Sequence, residues 1–269
     1  FNMKHLKSIE EFKSVNEQLF GDMYSGIMDL LAGKKPGESP VGGAVGVTTA
    51  IPADRAKNAQ AVIEAMKRQG ITNPYTQRAI LGVIGKESGF VPKNETSYSN
   101  TSASRIKSIF KTKLGGMSDA QVDSLKANDE SFYNTIYGGK YGNAPDEGYK
   151  YRGRGFNGIT FKGIYQKMQK LLDGIGKLGR KVDIVNNPDS LNDIDVAAEV
   201  AVLYFLDRAR DPKMAQKYGV SDINGFRDQE TAYKAMTNAN AGWGNDINTD
   251  FLGSLQRAKE QGDKFTLIA

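Results

Sequence analysis

The chain has no cysteine and only one histidine, His5, among its 269 residues. Without cysteine there is no disulfide framework, no thiol nucleophile and no thiolate-held zinc or iron–sulfur centre. A lone histidine removes histidine-clustered metal sites and the usual histidine-based triads. No metal or cofactor is therefore expected, and acid–base chemistry falls to carboxylates, tyrosines or lysines. Long apolar runs are also missing. The nearest candidate, Val41–Ala53, is short and rich in small residues, well below the roughly 20 residues of a membrane span. It also lies too far from the N-terminus to read as a leader. Neither sign of charge dominates: 36 Lys and Arg stand against 31 Asp and Glu, a net +5 with no basic tail. That balance permits contact with an anionic polymer without specifying nucleic acid.

What is present fits one large folded domain with a smaller attachment, at 39% hydrophobic and 25% charged residues. Residues 1–32 place Leu6, Ile9, Phe12, Leu19, Met23, Ile27 and Leu30 at mostly helical spacings. This predicts an amphipathic helical segment whose apolar stripe needs a partner. Residues 33–53 carry Pro36, Pro40 and Pro52 among several glycines, which predicts a linker or extended crossing. The main domain is expected over 54–269. Asp54 can cap a helix ending before Gly70, and Asn73–Pro74 reads as cap and first position of the next. Ser118 with Gln121 reads as a capping box. Further helices are predicted around Ile164–Leu171, Val196–Tyr204 and Phe251–Ala258. Alternating β runs are nearly absent, so the fold should be mainly α, with short strands at most near Tyr149–Thr160.

Three clusters could carry chemistry. Glu87 follows Ile80, Val83 and Ile84 at helical offsets, so it is expected on their apolar face, where partial burial raises a carboxyl pKa as a general acid requires. The same pattern fits a carboxylate at a helix rim paired with a lysine. Glu95 comes eight residues later in a hydroxyl-rich loop containing Ser97 and Tyr98. The two carboxyls could face each other across a groove, about 6.5–9.5 Å apart as inverting glycoside hydrolysis needs. Between Tyr149 and Phe156, aromatics interleave with Lys150, Arg152 and Arg154 around Gly153 and Gly155, followed by Asn157. Such a stretch suits an extended sugar polymer or a nucleic acid; it also reads as a tight glycine-rich turn with solvated arginines. Asn238, Asn240, Trp243 and Asn245 form the third cluster. Its amides match sugar hydroxyl and acetamido groups, and its tryptophan could stack on a sugar or fill the core.

In order along the chain, KESGF at 86–90, ETSYS at 95–99, RIKSIF at 105–110, YRGRGFNGIT at 151–160 and NAG at 240–242 resemble the chitinase-like glycoside hydrolases of family 19. The closest likeness is to their bacteriophage endolysin and tail-lysozyme branch. The resemblance spans roughly Asn73 to Gly244. It implies a mainly helical, two-lobed, lysozyme-like domain with a central cleft. The implied activity is hydrolysis of β-1,4 bonds beside N-acetylglucosamine units, by inversion and without a metal. Carried over by position, Glu87 matches the general acid, Glu95 the acidic group that polarises the attacking water, and Ser97 a hydroxyl that helps hold it. Arg154 matches a residue bracing the cleft and Asn240 one contacting substrate; Tyr98, Arg152, Asn157 and Trp243 join the expected substrate-binding set. Two positions depart from the family pattern: Lys86 replaces a common histidine, and Gly158 a common glutamine.

The expectation is a phage muramidase whose partner is bacterial peptidoglycan, either tail-associated in the virion or a lysin acting in the host periplasm. Zero cysteines and the ETSYS segment favour peptidoglycan over chitin. A non-catalytic wall-binding virion protein is the contrasting class, against which both glutamates speak. Specific nucleic-acid binding and a transmembrane segment are not expected. The start at Phe1 and the separated residues 1–32 suggest a piece of a larger or processed virion protein that could contact other tail proteins.

Overall fold

The computed structural model describes residues 44–47, 51–243 and 249–268. The predicted helical segment at 1–32 lies outside the described residues. The fold is mainly helical. In chain order the elements are β1 (Ala44–Val47), α1 (Ala53–Arg68), α2 (Pro74–Ser88), α3 (Ala103–Ile109), α4 (Lys111–Leu114), α5 (Asp119–Lys126) and α6 (Asp129–Tyr137). After a long irregular stretch come α7 (Lys162–Ile175), a 3-10 turn at Pro188–Asn192, α8 (Ile194–Ala209), α9 (Pro212–Tyr218), α10 (Gln229–Asn240), α11 (Thr249–Gly262) and β2 (Phe265–Ile268).

Local chemistry sets the main boundaries. The Asn73 side chain accepts from the backbone N–H groups of Tyr75 and Thr76, with Pro74 at the first helical position. Two otherwise orphaned donors are thereby satisfied. Gly89, in the left-handed conformation, closes the same helix. Ser118 and Gln121 form the expected reciprocal capping box. Asp54, by contrast, lies in the first turn of α1, whose cap is Pro52 and makes no side-chain bond.

One expectation about strands is corrected. Near Tyr149–Thr160 there is only an isolated bridge, Arg154 to Ile159. The two-stranded sheet lies elsewhere: β1 pairs antiparallel with β2, joining Ala44 to Ile268 and Val47 to Phe265. Half of this sheet comes from the stretch read as a linker. A four-residue strand closed by the far end of the chain leaves no local alternation to read.

Two apolar clusters divide the molecule. The larger is built on α1, α2, α8, α10 and α11 and includes Ile63, Ile80, Phe205, Met236 and Phe265. The smaller gathers Ile106, Leu114, Val122, Phe132, Tyr133 and Ile136 from α3 to α6. The irregular stretch 138–161 runs between them, giving Tyr151, Phe156 and Ile159 to the large cluster and Tyr149 to the rim of the small one. A buried Glu199 on α8 ties the ends of α1 and α7 to the large cluster. It accepts from Arg68, Gln69 and the Lys177 backbone N–H.

The helix that carries Glu87 is held by close approach. A side chain at Gly82 of α2 would run into the backbone carbonyl of Ala258 on α11 and the ring of Tyr233 on α10. Gly82→Ala should therefore destabilise the fold by about 1–3 kcal/mol, the overpacking cost outweighing the helix-propensity gain of about 1 kcal/mol. Urea unfolding checks this; an unchanged or higher midpoint refutes the crossing as a packing constraint.

Candidate active site

The site starts at the end of α2. Glu87 is more open than its spacing suggested: its side chain keeps 34% of its exposure. Lying in the last turn, it clears the apolar face that Ile80, Val83 and Ile84 bury, so the expectation of a desolvated carboxyl there is corrected. Its Oε1 takes two donors, Lys86 Nζ at 2.6 Å and Asn240 Nδ2 at 2.8 Å. Lys86 also donates to Ser254 Oγ on α11 at 2.6 Å. Three helices thus converge on one carboxylate oxygen.

Glu95 is the buried one. The loop after α2 folds back so that Glu95 N–H donates to the Gly153 carbonyl at 2.7 Å, while Gly153 N–H donates to Glu95 Oε2 at 3.1 Å. Oε1 accepts from the Tyr137 hydroxyl at 2.9 Å and, more weakly, from Tyr98 at 3.4 Å. Burial pushes the Glu95 carboxyl above the usual carboxylate range, against the opposing pull of Gly153 N–H and the two hydroxyls. Burial together with the Glu95 charge pushes Tyr98 up to about 12 and raises Tyr137 further. Both phenols therefore remain donors at neutral pH.

The remaining candidates divide by what they touch. Ser97 Oγ donates to Asp129 at the start of α6, at 2.6 Å, and so serves that helix rather than Glu95. Arg154 is buried and donates to Asp189, to the Lys150 and Arg152 carbonyls and to the Tyr165 hydroxyl. Arg152 lies 3.9 Å over the Tyr149 ring and donates to the Tyr149 carbonyl. Both arginines brace the 149–161 loop and expose little for a ligand to grasp. Trp243 is buried in the large cluster beside Tyr218, so its face packs on protein instead of lying open to a sugar. Asn245 lies outside the described residues. Asn238 is buried and donates to the Tyr218 hydroxyl.

Asn157 and Asn240 do come together. They line a small recess floored by Ile159, Phe161, Ile164 and Tyr204. Asn157 Nδ2 is buried there with no partner among the described residues, and Asn240, which gives an N–H to Glu87, keeps a carbonyl oxygen able to accept. A donor and an acceptor flanking an apolar floor complement an acetamido group, whose methyl needs burial and whose amide needs both. Gly158 borders the same recess at φ +65°, with nothing within 4 Å of where a side chain would begin, so the departure from glutamine leaves open space.

Thr160 was not singled out from sequence, although it closes the YRGRGFNGIT stretch. It lines the recess. Its Oγ1 lies 3.4 Å from the point where a Gly153 side chain would begin, and Glu95 Oε2 lies 3.3 Å from that point. The Thr160 hydroxyl donates to the Gly158 carbonyl, so its lone pairs can accept from a water whose other hydrogen reaches Glu95. The only sequence sign was a hydroxyl residue just past a glycine turn, a common pattern that says nothing of its neighbours. Thr160 shares the recess with Asn240, which donates to Glu87.

The raised Glu95 pKa has a stability consequence. The folded protein binds the Glu95 proton more tightly than the unfolded chain does, so ionising it costs stability as pH rises above the ordinary carboxylate range. Glu95→Gln should gain stability relative to the parent across that rise, and Tyr137→Phe, which removes a donor to the ionised form, should carry the loss on to higher pH and make it larger. Thermal melts between pH 4 and 8 check both; parallel profiles for parent and Glu95→Gln refute them. No family model matches the chain, and no curated protein matches it.

Proposed function

We propose that the protein is a glycoside hydrolase that cuts β-1,4 bonds of bacterial peptidoglycan by inversion, as a phage enzyme of wall entry or host lysis. One observation carries the reading: a small recess lined by Asn157, Thr160 and Asn240 is joined to two carboxylates in opposite environments, to Glu87 through its bond from Asn240 and to Glu95 through the approach of Thr160 over Gly153. In this scheme a sugar seats its acetamido group between Asn157 and Asn240. Glu95, whose burial raises its proton affinity, takes a proton from the water held against Thr160, and that water attacks the anomeric carbon. Glu87, which is open to solvent, first takes up a proton from bulk water and then delivers it to the departing sugar oxygen. For that step its ion pair with Lys86 gives way and the ammonium keeps Ser254. The absence of cysteine and the hydroxyl-rich loop support peptidoglycan over chitin.

Purified peptidoglycan tests the assignment. Parent protein should release new reducing ends at muramic acid, identified by product mass. Glu87→Gln and Glu95→Gln should each lower the rate by at least about 100-fold while keeping the fold, the scale of acid–base catalysis; Thr160→Val should cost less than either. Reducing ends at N-acetylglucosamine would redirect the bond assignment, and rates within tenfold of parent for both glutamine variants would remove the carboxylates from the chemistry.

A further inference from the structure

The wall beside the recess carries positive charge that the site as described does not use. From Thr96 to Ser118 the chain has four cations, Arg105, Lys107, Lys111 and Lys113, and no acid. Lys107 is paired with Asp119. Lys113 is exposed on α4, which packs against α6, with Phe110 and Tyr137 in edge contact at 6.3 Å between centroids. Directly after α6 comes Lys140, half-buried and, like Lys113, without a carboxylate partner among the described residues. Burial, and then the charge of Lys113, hold Lys140 below the ordinary lysine range.

This placement is anchored to the recess. Tyr141, next to Lys140, accepts from Gly163 N–H through its carbonyl at 3.0 Å. Its ring meets the Phe161 ring at 4.8 Å between centroids, and Phe161 lines the recess. Tyr141 is held at φ +47° between Gly139 at +69° and Gly142 at +87°, a conformation a tyrosine keeps only where the surrounding packing fixes it. The helix of Lys113 reaches the same wall through one run of rings, Phe110 against Tyr137 and Tyr137 against Phe161 at 5.1 Å between centroids, and a ligand anion relieves the repulsion between like charges gathered there.

We propose that Lys113 and Lys140 form an anion-recognition surface beside the recess that takes the carboxylates of the short peptides branching from the glycan strand. The proposal rests on the peptidoglycan reading above and narrows it. A neutral N-acetylglucosamine polymer offers this surface nothing, whereas a strand with peptide branches offers a carboxylate within reach of the sugars seated in the recess.

Binding rather than cleavage tests it. Parent protein and the Lys113→Gln, Lys140→Gln and double variants are sedimented at 4 °C with purified sacculi, native or with their carboxyls amidated, and with chitin. The double variant should bind native sacculi about tenfold more weakly than parent, the sum of two modest ion pairs. Amidation should weaken parent binding to a similar degree and leave the double variant little changed, and chitin binding should not respond to the substitutions. Equal binding of parent and double variant to native sacculi, or indifference of the parent to amidation, overturns the proposal. So does duplex DNA bound more tightly than sacculi and released by the same two substitutions. If bond cleavage proves absent while the binding pattern holds, the hydrolase reading falls and the anion surface stands.

Discussion

The burial of one carboxyl group between two irregular loops is the constraint on which the site depends. Glu95 offers its backbone N–H to Gly153 and receives Gly153 N–H on its side chain. The loop after α2 and the stretch 149–161 are thus locked face to face without a strand or helix between them. A buried carboxyl is costly unless every lone pair finds a donor. The small aromatic cluster supplies those donors: Tyr137 and Tyr98 reach the carboxyl, and Tyr133 donates to the Thr96 carbonyl just beyond it. The donors are neutral phenols and a backbone amide, which explains why the group keeps a raised proton affinity. A cation in the same place would have lowered it.

Glu87 is positioned by the opposite means. Helix α2 is fixed against α10 and α11 by close backbone approach at Gly82. Its last turn then presents Glu87 to Asn240 from α10, while Lys86 reaches Ser254 on α11. One carboxylate is therefore placed by rigid helices and left open, the other by clamped loops and buried. Side chains in such contrasting surroundings suit separate proton-transfer roles. Backbone strain gathers at the same place. Among the described residues, those other than glycine with positive φ are Phe90, Tyr141, Phe161 and Trp243. Phe90 follows the Glu87 turn, Phe161 lines the recess, Tyr141 packs on Phe161, and Trp243 follows Asn240. Each such conformation costs on the order of 1–3 kcal/mol and persists only where surrounding packing fixes it; here their rings supply that packing.

Much of the fold was legible because it is locally encoded. Asn73–Pro74, Ser118 with Gln121 and Gly89 each announce a helix end through bonds made within four residues, and the helices carrying Val200, Met168 and Leu255 follow from period alone. The β1–β2 pair was hidden because its partners lie at opposite ends of the described chain. Within the site, Glu87, Glu95, Asn157 and Asn240 were visible as residue types in suggestive segments. The roles of Arg152, Arg154 and Trp243 were not, because whether a long side chain faces solvent or folds back onto its own loop depends on which groups the rest of the chain brings near.

Taken alone, the sequence determined a mainly helical fold, the absence of thiols and of histidine clusters, and two glutamates, one in the last turn of α2 and one in the loop after it. Composition and short-range capping suffice for that. Only the tertiary structure decided which glutamate is buried. Spacing placed Glu87 on an apolar face, yet in the last turn of the helix only Asn240 and Lys86 reach it among the described residues, and its side chain keeps 34% of its exposure. Glu95 sits in a loop with no periodicity, and its desolvation comes from Gly153, Tyr98 and Tyr137, up to 58 residues away. Proton affinity follows burial, and burial follows long-range packing that no local pattern records.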